Sequence, residues 1–217
     1  AITSVETCDG GRNMNKILTL SFFSFLLLCS FLRAEEHKSP ISPEKFLNAV
    51  SAVEKKDFVE AVRLFSALAE EGEPASQYNL SLLHYKGLGT PENYQSALYW
   101  AWSASLDGYE KAPLLVDNIR DDVTDELITE VADNTIENLT KKAMAGDDNA
   151  SIKLGKTYYS LFVEPDIKNA YIWFVIAQAL SVEGSDELLR EVKKEIETPD
   201  LLLFQADATA TFNEIEK

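Results

Sequence analysis

Cysteine is almost absent from this chain. Among its 217 residues there are two, Cys8 and Cys29, and none follows them. From residue 30 onward there is no thiol nucleophile, no disulfide and no thiolate metal ligand. Histidine is as scarce, with His37 and His84 alone, too few for the usual zinc ligand sets, so no metal site is expected. Positive charge is short as well. Lysine and arginine number 20 against 36 acidic residues, a net charge of −16. The excess lies after residue 34, where 17 basic residues face 34 acidic ones. Such a surface repels phosphate backbones, which excludes nucleic acid as a partner, and it suits a basic protein or peptide. "GLGT" at 87–90 has no Lys-Ser/Thr after it and no strand before it, so it is not a phosphate loop. No Gly-x-Ser-x-Gly occurs, and no nucleophile has a histidine base to activate it. No catalytic residue and no cofactor is therefore assigned.

Long apolar runs are also rare. The one that stands out is Ile17–Leu32, inside "MNKILTLSFFSFLLLCSFLRA" at 14–34. Lys16 precedes it and Ala34 closes it, the pattern of a secretory signal peptide. Its apolar length is roughly 24 Å as a helix, short of the roughly 30 Å of a hydrocarbon core. A membrane span in the mature chain is not expected, and the location implied is secreted, periplasmic. Leu26, Leu27 and Leu28 stand before Cys29, where a lipidation signal wants a small residue, so Cys29 is taken as part of the apolar segment. Residues 1–13 are expected to be upstream sequence translated ahead of a true start at Met14. Residues 35–42 form a polar linker, and 43–217 a single repeat domain.

What is abundant is internal similarity. "ASQYNLSLLHYKGLGTPENYQSALYWAWSAS" at 75–105 matches "ASIKLGKTYYSLFVEPDIKNAYIWFVIAQA" at 150–179. Leu80 pairs with Leu154 and Tyr85 with Tyr159, 74 residues apart; after a shortened loop Ala97 pairs with Ala170 and Trp100 with Trp173, 73 apart. Between these copies, the segment from Leu114 resembles the segment from Leu188, with Thr124 opposite Thr198 and Ala132 opposite Ala206, again at 74. A period of 36 also links Ala61 to Ala97 and Gly72 to Gly108. Helical periods of this length indicate stacked helix pairs. Ala97, Trp100, Ala101 and Ala104 fall on one helical face. Thr124 and Thr198 are expected as N-caps. Ten helices are predicted, over 43–54, 57–71, 75–86, 92–107, 109–120, 124–144, 149–160, 166–182, 185–195 and 198–214.

These residues resemble the Sel1-like repeat, a relative of the tetratricopeptide repeat. The first full copy carries Leu80, Ser81 in the glycine position, His84 in the tyrosine position, Gly87, Gly89, Asn93 for aspartate, Ala97 and Trp100, with Gly108 at the end. The later copy carries Leu154, Gly155, Tyr158, Asp166, Ala170 and Trp173, but has Leu161 and Val163 where the loop glycines belong. Residues 55–80 resemble an opening unit, and 112–144 and 186–214 resemble divergent helix pairs. The resemblance implies an all-α, right-handed superhelical solenoid of antiparallel helix pairs whose concave face binds other proteins. Disulfides shared by many secreted members have no counterpart here.

Tyr78, Leu82 and Tyr85 lie at i, i+4 and i+7 of one helix, and Ile152, Lys156 and Tyr159 at the equivalent places of another. Leu80, Leu83, Leu154 and Tyr158 supply the core side of those helices, so the first six are candidate concave-face contacts for a protein or peptide. The alternative is that they pack against the next repeat. The paired acids Glu70–Glu71, Asp121–Asp122 and Asp147–Asp148 are expected to be solvated, and His84 to be a packing residue. The function expected is an extracytoplasmic interaction scaffold. A hydrolase of cell-wall material and a passive spacer are the alternatives. Leu201–Phe204, in the last helix, would either cap the array or let two copies associate.

Overall fold

The structure, a computed structural model, describes residues 43–215. The leader segments, Cys8, Cys29 and His37 fall outside the described residues. The remainder is helical: α1 Pro43–Glu54, α2 Phe58–Glu70, α3 Pro74–Tyr85, α4 Tyr94–Leu106, α5 Ala112–Asp121, α6 Asp125–Met144, α7 Asp148–Ser160, α8 Ile167–Ala179, α9 Ser185–Val192 with a 3-10 turn Lys193–Glu195, and α10 Thr198–Glu214. No strand occurs among the described residues. Every predicted helix is present.

The starts are fixed by short polar side chains. Asp57, Asn93, Thr124, Asp147 and Asp166 each accept a backbone N–H of the first turn, which satisfies donors that the helix itself leaves orphaned. Asn93 and Asp166 are equivalent caps, and the loops before them close alike. The Asn93 N–H donates to the His84 carbonyl at 3.0 Å, and the Asp166 N–H to the Tyr158 carbonyl at 2.9 Å. The change of offset from 74 to 73 is thus a one-residue deletion inside a loop whose anchoring bond is kept.

Most helices pack on the next in the chain: α1 on α2, α2 on α3, α3 on α4, α4 on α5, α6 on α7, α7 on α8, and α8 on α9. Two further contacts, α4 with α6 and α8 with α10, occupy equivalent places in the two halves. The core is accordingly serial. Ala49, Phe65 and Leu80 form one cluster at the start. Leu98, Ile119 and Val131 form the next, and Leu154, Trp173 and Ile176 a third. Tyr171, Phe174 and Val192 close the array. A chain of local cores, each built mainly from helices adjacent in the sequence, is an all-α repeat solenoid.

Two expectations about the last helix are corrected. The N-cap of α10 is Glu197, which makes no side-chain cap bond, and Thr198 is already helical. Ala132 is fully buried, whereas Ala206 is exposed. The buried face of α6 (Ile128, Val131, Thr135 and Leu139) matches Leu201, Phe204, Ala208 and Phe212, a shift of 73 and not 74. The shared threonine and alanine point to an offset of 74, whereas the packing repeats at 73, because burial is preserved between the two copies and those letters are not.

Trp100 plays a smaller part than its spacing implies. It is half-buried against the first cluster and stacks edge-on to Tyr99 at 5.0 Å. The buried tryptophan of α4 is Trp102, and its indole N–H donates to Thr157 Oγ1 at 3.1 Å. This bond ties α4 to α7, that is, the first full repeat to the later one. Trp102 has no tryptophan at its repeat-equivalent position, Val175, so periodicity does not mark it. A second tie is charged: Asp107 accepts from Gln77 at 3.0 Å and from the Lys153 ammonium. Both partners of the Lys153–Asp107 pair are largely shielded from water.

Candidate binding surface

The six candidate contact residues fall into two equivalent rows. On α3, Tyr78, Leu82 and Tyr85 are half-buried and pack against the cluster formed by α4, α5 and α6. On α7, Ile152 is 8% exposed and belongs to the core; it is not available as a contact. Lys156 and Tyr159 are half-exposed. Leu80, Ala97, Leu154, Gly155, Ala170 and Trp173 are all buried, in the structural role that the repeat assigns to them. Gly87, Gly89 and Gly108 occupy turns with positive φ.

The two tyrosines at the ends of the rows are held alike. The Tyr85 hydroxyl donates to Asp122 at the end of α5, and its ring meets Tyr94 edge-on at 5.7 Å. The Tyr159 hydroxyl donates to Glu195, beyond α9, at 2.6 Å, and its ring meets Phe174 edge-on at 6.4 Å. The hydrogen bond to the Asp122 carboxylate pushes the Tyr85 phenol up to about 12. Glu195 pushes Tyr159 in the same direction by the same means. Both tyrosines stay neutral and fixed in the neutral range. Tyr78 lies against Tyr109 with ring centroids 4.8 Å apart. The rows therefore join each unit to the next, and their outer edges form part of the surface. Lys156 makes no hydrogen bond or ion pair among the described residues.

Along α5 and the start of α6 lies a groove of about 300 Å³, lined by Asp117, Arg120, Asp121, Asp125, Ile128 and Val163. Arg120 turns to the main-chain carbonyls of Ser160 and Phe162, at 3.3 and 3.5 Å, and none of the three carboxylates has a cationic partner among the described residues. Leu161 replaces a loop glycine here and is fully buried against α5 and α6. This is how the later copy dispenses with the glycines. Asp121 and Asp122 are exposed, as expected.

His84 is half-buried, and its Nδ1 lacks a partner. Burial holds its pKa below the usual imidazole value. A histidine whose folded pKa is depressed gives full stability above its unfolded pKa, about 6.5, and loses it as pH falls through that value. Urea midpoints measured from pH 7.5 to 5 are expected to fall more steeply in the wild type than in His84→Tyr, which installs the residue found at the equivalent Tyr158. Parallel curves would show that the imidazole is not strained in the fold.

The repeating helix pairs, the serial core and the paired tyrosine anchors define an all-α repeat scaffold. A family model for the Sel1 repeat matches residues 51–73, 74–109 and 149–177. The chain carries three Sel1 repeats, with the pairs α5–α6 and α9–α10 lying outside the matches. No curated protein matches the chain. Among solved structures it is similar to a protective antigen present in uropathogenic Escherichia coli strains, described as displaying an SLR fold. The identity is 18% and the TM-score 0.34, and the similarity covers 71% of this chain and 41% of that one. This chain thus spans less than half of that protein's length.

Proposed function

We propose that this protein is an extracytoplasmic scaffold that binds a partner protein along the outer edges of α3 and α7, beside the acidic groove at α5. Sel1 repeats are, as a class, protein-interaction repeats, and that membership supports the general reading. The observation that carries the particular surface is the equivalence of Tyr85 and Tyr159. Each is an aromatic side chain fixed by a carboxylate of the following unit, so a partner meets it without an ordering cost. Asp117, Asp121 and Asp125 would receive basic side chains of that partner and speed the encounter at low salt. The apolar segment 17–32 supports a site of action outside the cytoplasm.

The test is crosslinked capture from the extracytoplasmic fraction of the source cell. Wild type is compared with Tyr78→Ala/Tyr85→Ala/Tyr159→Ala and with Asp117→Lys/Asp121→Lys, each checked by circular dichroism. A protein retained by the wild type and lost from both variants supports the surface. A partner retained equally by all three overturns it.

A further inference from the structure

The outer face of α10 differs from that of its internal counterpart. At the structural offset of 73, α6 exposes Thr129, Glu130, Asp133 and Glu137 where α10 exposes Leu202, Leu203, Ala206 and Ala210. Three carboxylates have given way to apolar side chains, in a chain of net charge −16. Leu202 and Leu203 are 66% and 63% exposed. Pro199 and Asn213 complete a face with no charged member. Two carboxylates stand on its flank: Asp207, paired with Lys168 at 2.8 Å, and the exposed Glu214 at the C-terminal end of the helix. The opposite side of α10 already packs on α8 through Ala208 and its neighbours.

We propose that this face pairs with the same face of a second copy of the chain, antiparallel, about a two-fold axis at Ala206. The order of side-chain sizes is self-complementary under that axis. Leu202 of one copy lies over Ala210 of the other, Leu203 over Thr209, and Ala206 over Ala206, so bulky residues meet small ones along the whole contact. A basic partner finds no carboxylate here to meet. Two copies repel one another over the rest of their acidic surface and can approach where the charge is missing. The proposal is independent of the binding surface on α3 and α7.

The test uses the full chain carrying Cys8→Ser and Cys29→Ser. Under mild oxidation, Ala206→Cys is expected to give a covalent dimer, and Asp133→Cys, the equivalent position on α6, is not. In sedimentation, the parent is expected to show a concentration-dependent monomer–dimer equilibrium that tightens with added salt, because salt screens the like charges. Leu202→Glu/Leu203→Glu, with its helical circular dichroism unchanged, is expected to weaken dimerisation by more than about tenfold, because two pairs of carboxylates would be driven into one contact. A parent that stays monomeric overturns the proposal. So does equal crosslinking at both positions, or a dimer that survives the double substitution or weakens with salt.

Discussion

Gly89→Ala is expected to lower stability by about 3 kcal/mol, the sum of a left-handed backbone penalty of about 1–2 and an overpacking cost of about 1–3. Gly89 sits at φ +76°, and a Cβ built on it would lie 2.2 Å from the Phe58 carbonyl oxygen and 2.8 Å from the Val59 nitrogen. Both atoms are backbone at the start of α2, so no rotamer change relieves the clash, and the loop must lift off the preceding unit. For a domain of this size the melting temperature should fall by roughly 6–12 °C. Gly184→Ala is the control. Its φ is +80°, and nothing lies within 4 Å of the added atom, so only the backbone penalty of about 1–2 kcal/mol applies. If thermal melts give equal losses for the two variants, the close approach to Phe58 contributes nothing.

Much of this architecture is legible in the sequence. The ten helices follow from apolar periodicity and from a cap such as Thr124, because these are local and each copy supports the other. What escapes is contact between unlike positions. The Trp102–Thr157 bond joins two residues that have no counterparts in the other copy, so no repeat comparison marks them. Tyr78, Leu82 and Tyr85 were separable from the core by helical angle. A second face, however, can be covered by the next helix pair, and the angle alone does not say whether it is. In α7 the next pair buries Ile152 and leaves Lys156 and Tyr159 at the edge, so one helical face divides into core and surface. The register of α10 escapes for a related reason: identical letters at an offset of 74 coincide with opposite burial, and only the packing reveals the shift. The acidic groove depends on Val163 and Asp125 meeting across a loop, a placement that requires the fold.

The later repeat tests whether the small residue of the first helix and the large residue of the second were fitted to each other. Gly155 occupies the position of Ser81, and Phe174 that of Ala101. In the first full copy Ser81 fills the space and donates to the Ala97 carbonyl at 2.7 Å. In the later copy a Cβ on Gly155 would stand 2.4 Å from the Cδ1 and Cε1 atoms of Phe174, a ring that is fully buried. The ring cannot swing away without breaking its packing on Tyr159. Gly155→Ala is therefore expected to destabilise by about 2 kcal/mol, because overpacking outweighs the roughly 1 kcal/mol that alanine contributes to a helix interior. Phe174→Ala alone should cost about 3–5 kcal/mol through the cavity it leaves. In that background the sign should reverse. Gly155→Ala then adds helix propensity and fills part of the cavity, so it is expected to stabilise by about 1 kcal/mol. A double-mutant cycle from denaturant melts should give a coupling of about 3 kcal/mol, well above the scatter for independent sites. Additive effects would mean that the ring gives way freely, and that the two repeats are alike only in outline.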